Sequence, residues 1–141
     1  MRYAYPVTLE PEADGRLTVL FDGMPGATWG DTAEEALIRA EDLLVSSLAT
    51  FVEDNQPIPR PSPVRGRPVV AVPALAAAKL ALHDAMLGVR MSNAELGRRL
   101  GLDEKQVRRL RDPLHRSHID KVEAGLRILG KRLEVEVKEA A

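Results

Sequence analysis

The sequence predicts an α+β protein: a small N-terminal antiparallel sheet with one long helix, then an all-α C-terminal region built around a helix-turn-helix. Three observations predict it. Apolar residues alternate with period two over residues 3–21, as in strands with one buried face. After Pro73 they recur at the 3.6-residue period of helices. Between the two, QPIPRPSPVRGRP at residues 56–68 holds prolines too dense for any helix. The chain therefore divides into an α+β domain over residues 1–68, its last strand continuing to about residue 72, and a helix-turn-helix domain over residues 73–141 with a strand-like tail.

Tyr3, Tyr5, Val7 and Leu9 alternate with Arg2, Ala4, Thr8 and Glu10. Pro6 in this strand suits a sheet edge, because it has no N–H for a ladder. After the turn-forming PEADG, Leu17, Val19 and Phe21 resume the alternation and complete a hairpin. DGMPGATWGD leaves room for one short strand at residues 27–29. Thr32 opens a helix, with Glu35 spaced to close a capping box. Ala33, Leu37, Ala40, Leu44, Leu48 and Phe51 then form one apolar stripe able to cover a sheet face. The prolines deliver the chain to VVAV at residues 69–72, a fourth strand. Four helices are expected beyond it. Leu75, Ala78, Leu82, Met86 and Val89 line the first; Leu96, Leu100, Val107 and Leu110 belong to the next two; Ile119, Val122, Leu126 and Leu129 line the last, stopped near Gly130. LEVEV at residues 133–137 alternates strictly and reads as a short strand open to a partner's sheet, with a frayed tail as the alternative.

The stretch ELGRRLGLDEKQVRRL, residues 95–110, carries the chemistry. A helix-turn-helix needs a turn residue tolerant of positive φ, a small residue at the crossing and buried apolar side chains at fixed offsets. Gly101 supplies the turn, Gly97 the crossing, and Leu96, Leu100, Leu102, Val107 and Leu110 the apolar slots. Ser92 with Glu95, and Asp103 with Gln106, are spaced as capping boxes for the two helices. Burying those slots turns Glu104, Lys105, Arg108, Arg109 and Arg111 outward, with Gln106 near the start of the helix. Lys105, Arg108 and Arg109 are the first candidates for base edges, since arginine and lysine reach guanine O6 and N7, and Gln106 suits adenine. Asn93, Arg98, Arg116 and Ser117 suit phosphate.

Charge is divided unevenly. Residues 1–68 hold six arginines against eleven acids; residues 69–141 hold fourteen cations against ten acids. Two halves of opposite sign imply different partners. The absence of cysteine excludes disulfides and thiolate metal sites. With neither a signal-peptide core nor an apolar run long enough for a bilayer, the expectation is a cytoplasmic protein. His115 and His118 lack accompanying ligands and read as capping or phosphate contacts rather than a metal site. Asp22, Asp31, Glu34 and Glu35 could be imagined as a hydrolytic carboxylate cluster, but turn and cap chemistry already explains the last three. No cofactor is expected.

With both halves read, the chain resembles the HicB family of type II antitoxins. The matching stretches are YPV at residues 5–7, LTVLF in the hairpin, the MPG and WGDTAEEAL elements within residues 24–37, IPRPS at residues 58–62 and the helix-turn-helix. The resemblance implies a partial RNase H-like N-terminal domain without catalysis of its own. It also implies a partner, the HicA toxin, a small mRNA-cleaving ribonuclease that the antitoxin covers, and repression of its own operon through the C-terminal domain. An acidic N-terminal half facing a basic RNA-binding toxin agrees with the charge division. Met24, Trp29, Asp31 and Glu34 are the candidate toxin contacts, and a homodimer or dimer of dimers on operator DNA is expected. One alternative is a free-standing helix-turn-helix regulator whose N-terminal domain senses a ligand or dimerises; another is a nuclease using the N-terminal acids.

Overall fold

A computed structural model describes residues 2–139. Strands β1 (Ala4–Pro11), β2 (Leu17–Phe21), β3 (Thr28–Gly30) and β4 (Val69–Ala71) form one antiparallel sheet in the order β3-β2-β1-β4. Val7 pairs with Phe21 and Leu9 with Val19, so the alternation read along each strand becomes one apolar face of the hairpin. Helix α1 (Ala33–Glu53) lies over that face. It buries Ala36, Ala40, Leu44 and Leu48 in a cluster with Tyr5, Val7, Val19, Phe21 and Val70.

Pro6 does not mark an edge. β1 is an interior strand, and Pro6 pairs with Val69 of β4. Its neighbours make the bonds to that side: Val7 N–H donates to Pro68 O at 2.9 Å, and Val72 N–H to Tyr3 O at 2.9 Å. The ladder with β2 starts only at Val7. The missing N–H therefore falls just past the end of the ladder with β2.

Four helices follow: α2 (Ala74–Val89), α3 (Asn93–Leu100), α4 (Glu104–Arg111) and α5 (Ile119–Ile128). Helix α2 is buried on more than one side, as an almost uniformly apolar helix must be. Its Ala76 and Leu80 join the cluster under the sheet. Its Ala78, Leu82 and Met86 join a second cluster with Leu96, Val107, Leu110, Val122 and Leu126.

The proline segment is fastened by side chains from the body. The Tyr5 hydroxyl donates to Pro59 O at 2.7 Å, and the Ile58 N–H donates to Asp84 Oδ1 at 3.0 Å. Burial, followed by the nearby Asp84 charge, pushes the Tyr5 hydroxyl up to about 12. The C-terminal LEVEV stretch pairs with no strand of this chain. Residues 131–139 have no regular structure, and Val135 and Val137 stand 74% and 91% exposed. Alternation cannot hold a strand that has no ladder to join.

Candidate nucleic-acid interface

Ser92 starts α3, its Oγ accepting from the Glu95 N–H at 3.1 Å, and Gly101 ends it in the left-handed region at φ 72°. A Cβ on Gly97 would stand 2.5 Å from the Leu102 carbonyl oxygen, so only glycine lets the turn close over α3. Helix α4 opens with a complete capping box. Asp103 Oδ1 accepts from the Gln106 N–H at 2.7 Å, and Gln106 Oε1 accepts from the Asp103 N–H at 2.9 Å. Leu96, Val107 and Leu110 are buried and Leu100 and Leu102 half-buried, as the helix-turn-helix spacing requires.

With that face inside, Glu104, Lys105, Gln106, Arg108 and Arg109 of α4 are exposed, as is Arg98 of α3. Gln106 and Arg109 line a shallow cleft of about 180 Å³ with His115, Arg116, Ser117 and Lys121. The residues expected to hold phosphate, Arg116 and Ser117, thus stand beside those expected to read bases. The cleft sits at the start of α5, where His118 makes no side-chain cap. A helix N-terminus of this kind favours an anion. Gln106 is less free than its sequence position implied, because the capping box engages the oxygen that a bidentate adenine contact would use.

Arg111 corrects the expected outward set. It is only 8% exposed. Its Nη1 donates to Asn93 Oδ1 at 2.7 Å, and its Nη2 donates to Asn55 Oδ1 at 2.9 Å and to His83 Nδ1 at 2.7 Å. The reason is helical geometry: positions 107, 110 and 111 share a face, so a residue four after buried Val107 turns inward despite its charge. Asn93, expected at phosphate, is half-buried and gives its oxygen to Arg111 instead.

Two further polar residues, both on α2, are buried, among them His83, which its place beside Asp84 had suggested to be at the surface or partly buried. Lys79 of α2 is fully buried, and its Nζ donates to the Arg109 and Asp112 carbonyls at 3.0 Å each and to the His115 carbonyl. Three acceptors match the three N–H bonds of an ammonium, placed where the end of α4 favours a cation. Burial nevertheless draws its pKa below the ordinary lysine value, against the opposing effect of Asp112. His83, one turn on, is also fully buried. Because Arg111 can only donate, His83 Nδ1 is the acceptor, and Nε2 carries the proton that it donates to Gln56 O at 2.7 Å. Burial holds the His83 pKa below its ordinary value and the Arg111 charge adds to this; the Gln56 carbonyl and Asp84 oppose it. The available signal was a lysine and a histidine four apart, with Asp84 beside the histidine, within the largely apolar ALAAAKLALHDAM.

On the N-terminal unit, Trp29 is 40% exposed and clasped between the guanidinium groups of Arg16 and Arg39, each 4.7 Å from the ring centroid. Asp31 and Glu34 are exposed beside it in sequence. Met24, expected on the same surface, belongs instead to the buried cluster beneath the sheet, where its flexible apolar chain packs. Asp22 is tied to Arg67 by two bonds of 3.0 and 2.8 Å, and Glu35 to Arg39 at 3.1 Å. Among the described residues, no three His, Asp or Glu side chains gather as a metal site would require.

The match to known proteins covers both the sheet unit and the helices. The profile of the HicB-like antitoxins of bacterial toxin-antitoxin systems matches residues 4–81. The chain belongs to the HicB-like antitoxin family. It is 43% identical to "Antitoxin HicB 2" of Photorhabdus laumondii over 132 residues, 93% of this chain and 94% of that one. It is 37% identical to "Antitoxin HicB" of Escherichia coli K12 over 133 residues, 93% of this chain and 96% of that one. Such coverage extends the family assignment through the C-terminal helices. This HicB-like chain is thus an antitoxin of a toxin-antitoxin system, and among its described residues no helix is long and apolar enough to cross a membrane.

Proposed function

We propose that this antitoxin neutralises a small HicA-type ribonuclease by covering its RNA-binding surface, and that it represses its own operon by placing α4 in the major groove of operator DNA. The exposure of Lys105, Arg108 and Arg109 on a helix whose other face is locked into a core supports the DNA half most directly. Arg98, Arg116 and Ser117 then hold phosphates, whereas the exposed Glu104 on the same face repels phosphate and counts against this reading. The family and the acidic excess of residues 1–68 support the toxin half, with Trp29, Asp31 and Glu34 as its contacts. Two protomers bind a two-fold operator whose half-sites lie about 34 Å, or about 10 base pairs, apart or a multiple of that.

The first experiment is co-expression with the neighbouring open reading frame: the antitoxin restores growth that the neighbour alone arrests. Titration of a duplex from upstream of the gene tests the second half. Arg109→Ala costs about 1 to 3 kcal/mol on the specific duplex and relaxes sequence preference, whereas Arg116→Ala mainly lowers the salt slope, by about one. Equal losses on specific and random DNA for Arg109→Ala would refute its base-reading role.

A further inference from the structure

Arg111 joins four elements with one guanidinium. It projects from the last turn of α4, and its two terminal nitrogens donate to Asn55 just past the end of α1, His83 in the middle of α2, and Asn93 in the first turn of α3, while its buried Nε has no partner. Asn55 is held for this contact by a left-handed backbone at φ 53°, which turns its side chain back toward the helices. His83 carries the connection on to the proline segment through the Gln56 carbonyl. Lys79, four residues earlier on α2, grips the carbonyls where α4 ends. A side chain that was merely solvated, or that awaited phosphate, would not be 8% exposed with acceptors from three other helical segments.

We propose that Arg111 is a positioning residue that locks the DNA-reading helix pair to the sheet-bearing unit, so that the end of α1 and the proline segment set how α4 is presented. The proposal deepens the DNA reading and rests on it for its functional half. The physical basis is geometric. Arginine's planar fork reaches several acceptors at fixed angles, which a lysine ammonium on a flexible stem cannot reproduce. A ligand pressing on the end of α1 is therefore felt at α4 through a single hydrogen-bonded joint, and reciprocally.

The test uses the full chain and three variants. Asn55→Gly removes the acceptor while keeping the left-handed backbone unstrained; Asn55→Asp keeps an acceptor facing the guanidinium; Arg111→Lys keeps the charge but not the fork. Amide hydrogen exchange in α4 is expected to accelerate about tenfold in Asn55→Gly and at least as much in Arg111→Lys, to stay near wild type in Asn55→Asp, and to rise less in β1 and β2 than in α4. Unchanged exchange of α4 in Asn55→Gly, or full retention by Arg111→Lys, overturns the proposal. Binding to the upstream duplex supplies the functional readout: Asn55→Gly weakens it several-fold with the salt slope unaltered, as expected of a residue that touches no phosphate. If wild type binds and Asn55→Gly binds equally well, the positioning role is refuted. If wild type itself fails to bind, the DNA reading fails while the exchange experiment still decides the lock.

Discussion

At the scale of single residues, the buried polar groups around α4 decide how the protein responds to pH. His83 accepts from Arg111, so protonating Nδ1 would set an N–H against a guanidinium. Its folded pKa lies below the unfolded 6.5, so the unfolded chain takes up the proton first. The contribution of neutral His83 is therefore complete above pH 6.5 and is lost as pH falls from there through the folded value. Urea midpoints at pH 7.5 and 5.5 check this: wild type should lose stability between them, and His83→Gln, which has no proton to gain, should lose less. Gly97 is equally sharp. A methyl group there meets a carbonyl oxygen at 2.5 Å rather than a yielding side chain, so Gly97→Ala should cost about 2 kcal/mol or more in denaturant unfolding. Arg111 shows how residue type misleads. Its charge argued for solvent, yet its position four after Val107 and one after Leu110 argued for the interior, and spacing won because three polar acceptors were there to receive it.

At the scale of elements, three helix starts were legible, but only one capping box closes fully. Thr32, Ser92 and Asp103 each accept from the backbone N–H three residues on. Only Gln106 returns the bond; Glu35 and Glu95 face Arg39 and Arg99 instead, each at 3.1 Å. A carboxylate with an arginine one turn ahead gains a charge partner that a neutral amide lacks, which diverts it from the cap. Asp103 therefore carries both halves of its box, and Asp103→Ala should cost about 1 kcal/mol, read as a lower thermal midpoint, and loosen the first turn of α4 where Lys105 lies. The LEVEV tail is not a strand within this chain for the converse reason. Period two shows which faces a strand would have, but a strand forms only against a partner strand, and none of this chain's own strands pairs with residues 133–137.

At the scale of the whole molecule, α2 belongs to both apolar clusters and anchors three polar joints, Lys79 to the end of α4, His83 to Gln56 and Arg111, and Asp84 to Tyr3 and Ile58. Such sharing ties the sheet unit and the helices into one cooperative system. Urea unfolding followed by Trp29 fluorescence, which reports on the sheet, and by far-ultraviolet circular dichroism, dominated by the helices, should give coincident transitions. Separate midpoints would show the two cores melting independently. The order of strands and helices, the centre of the α1 stripe at Ala40, Leu44 and Leu48, the Gly97 and Gly101 positions and the exposed faces of Lys105, Arg108 and Arg109 were all determined by the sequence itself. Each depends on local periodicity or on a backbone requirement that a single residue type meets. What only the tertiary structure decided is where the exceptions go: Pro6 inside the sheet, Met24 in its core, and Lys79, His83 and Arg111 buried between units. Their places depend on neighbours distant in the chain, a fourth strand for Pro6, an apolar cluster for Met24 and hydrogen-bond partners for the other three, and no local pattern encodes a partner that only folding brings near.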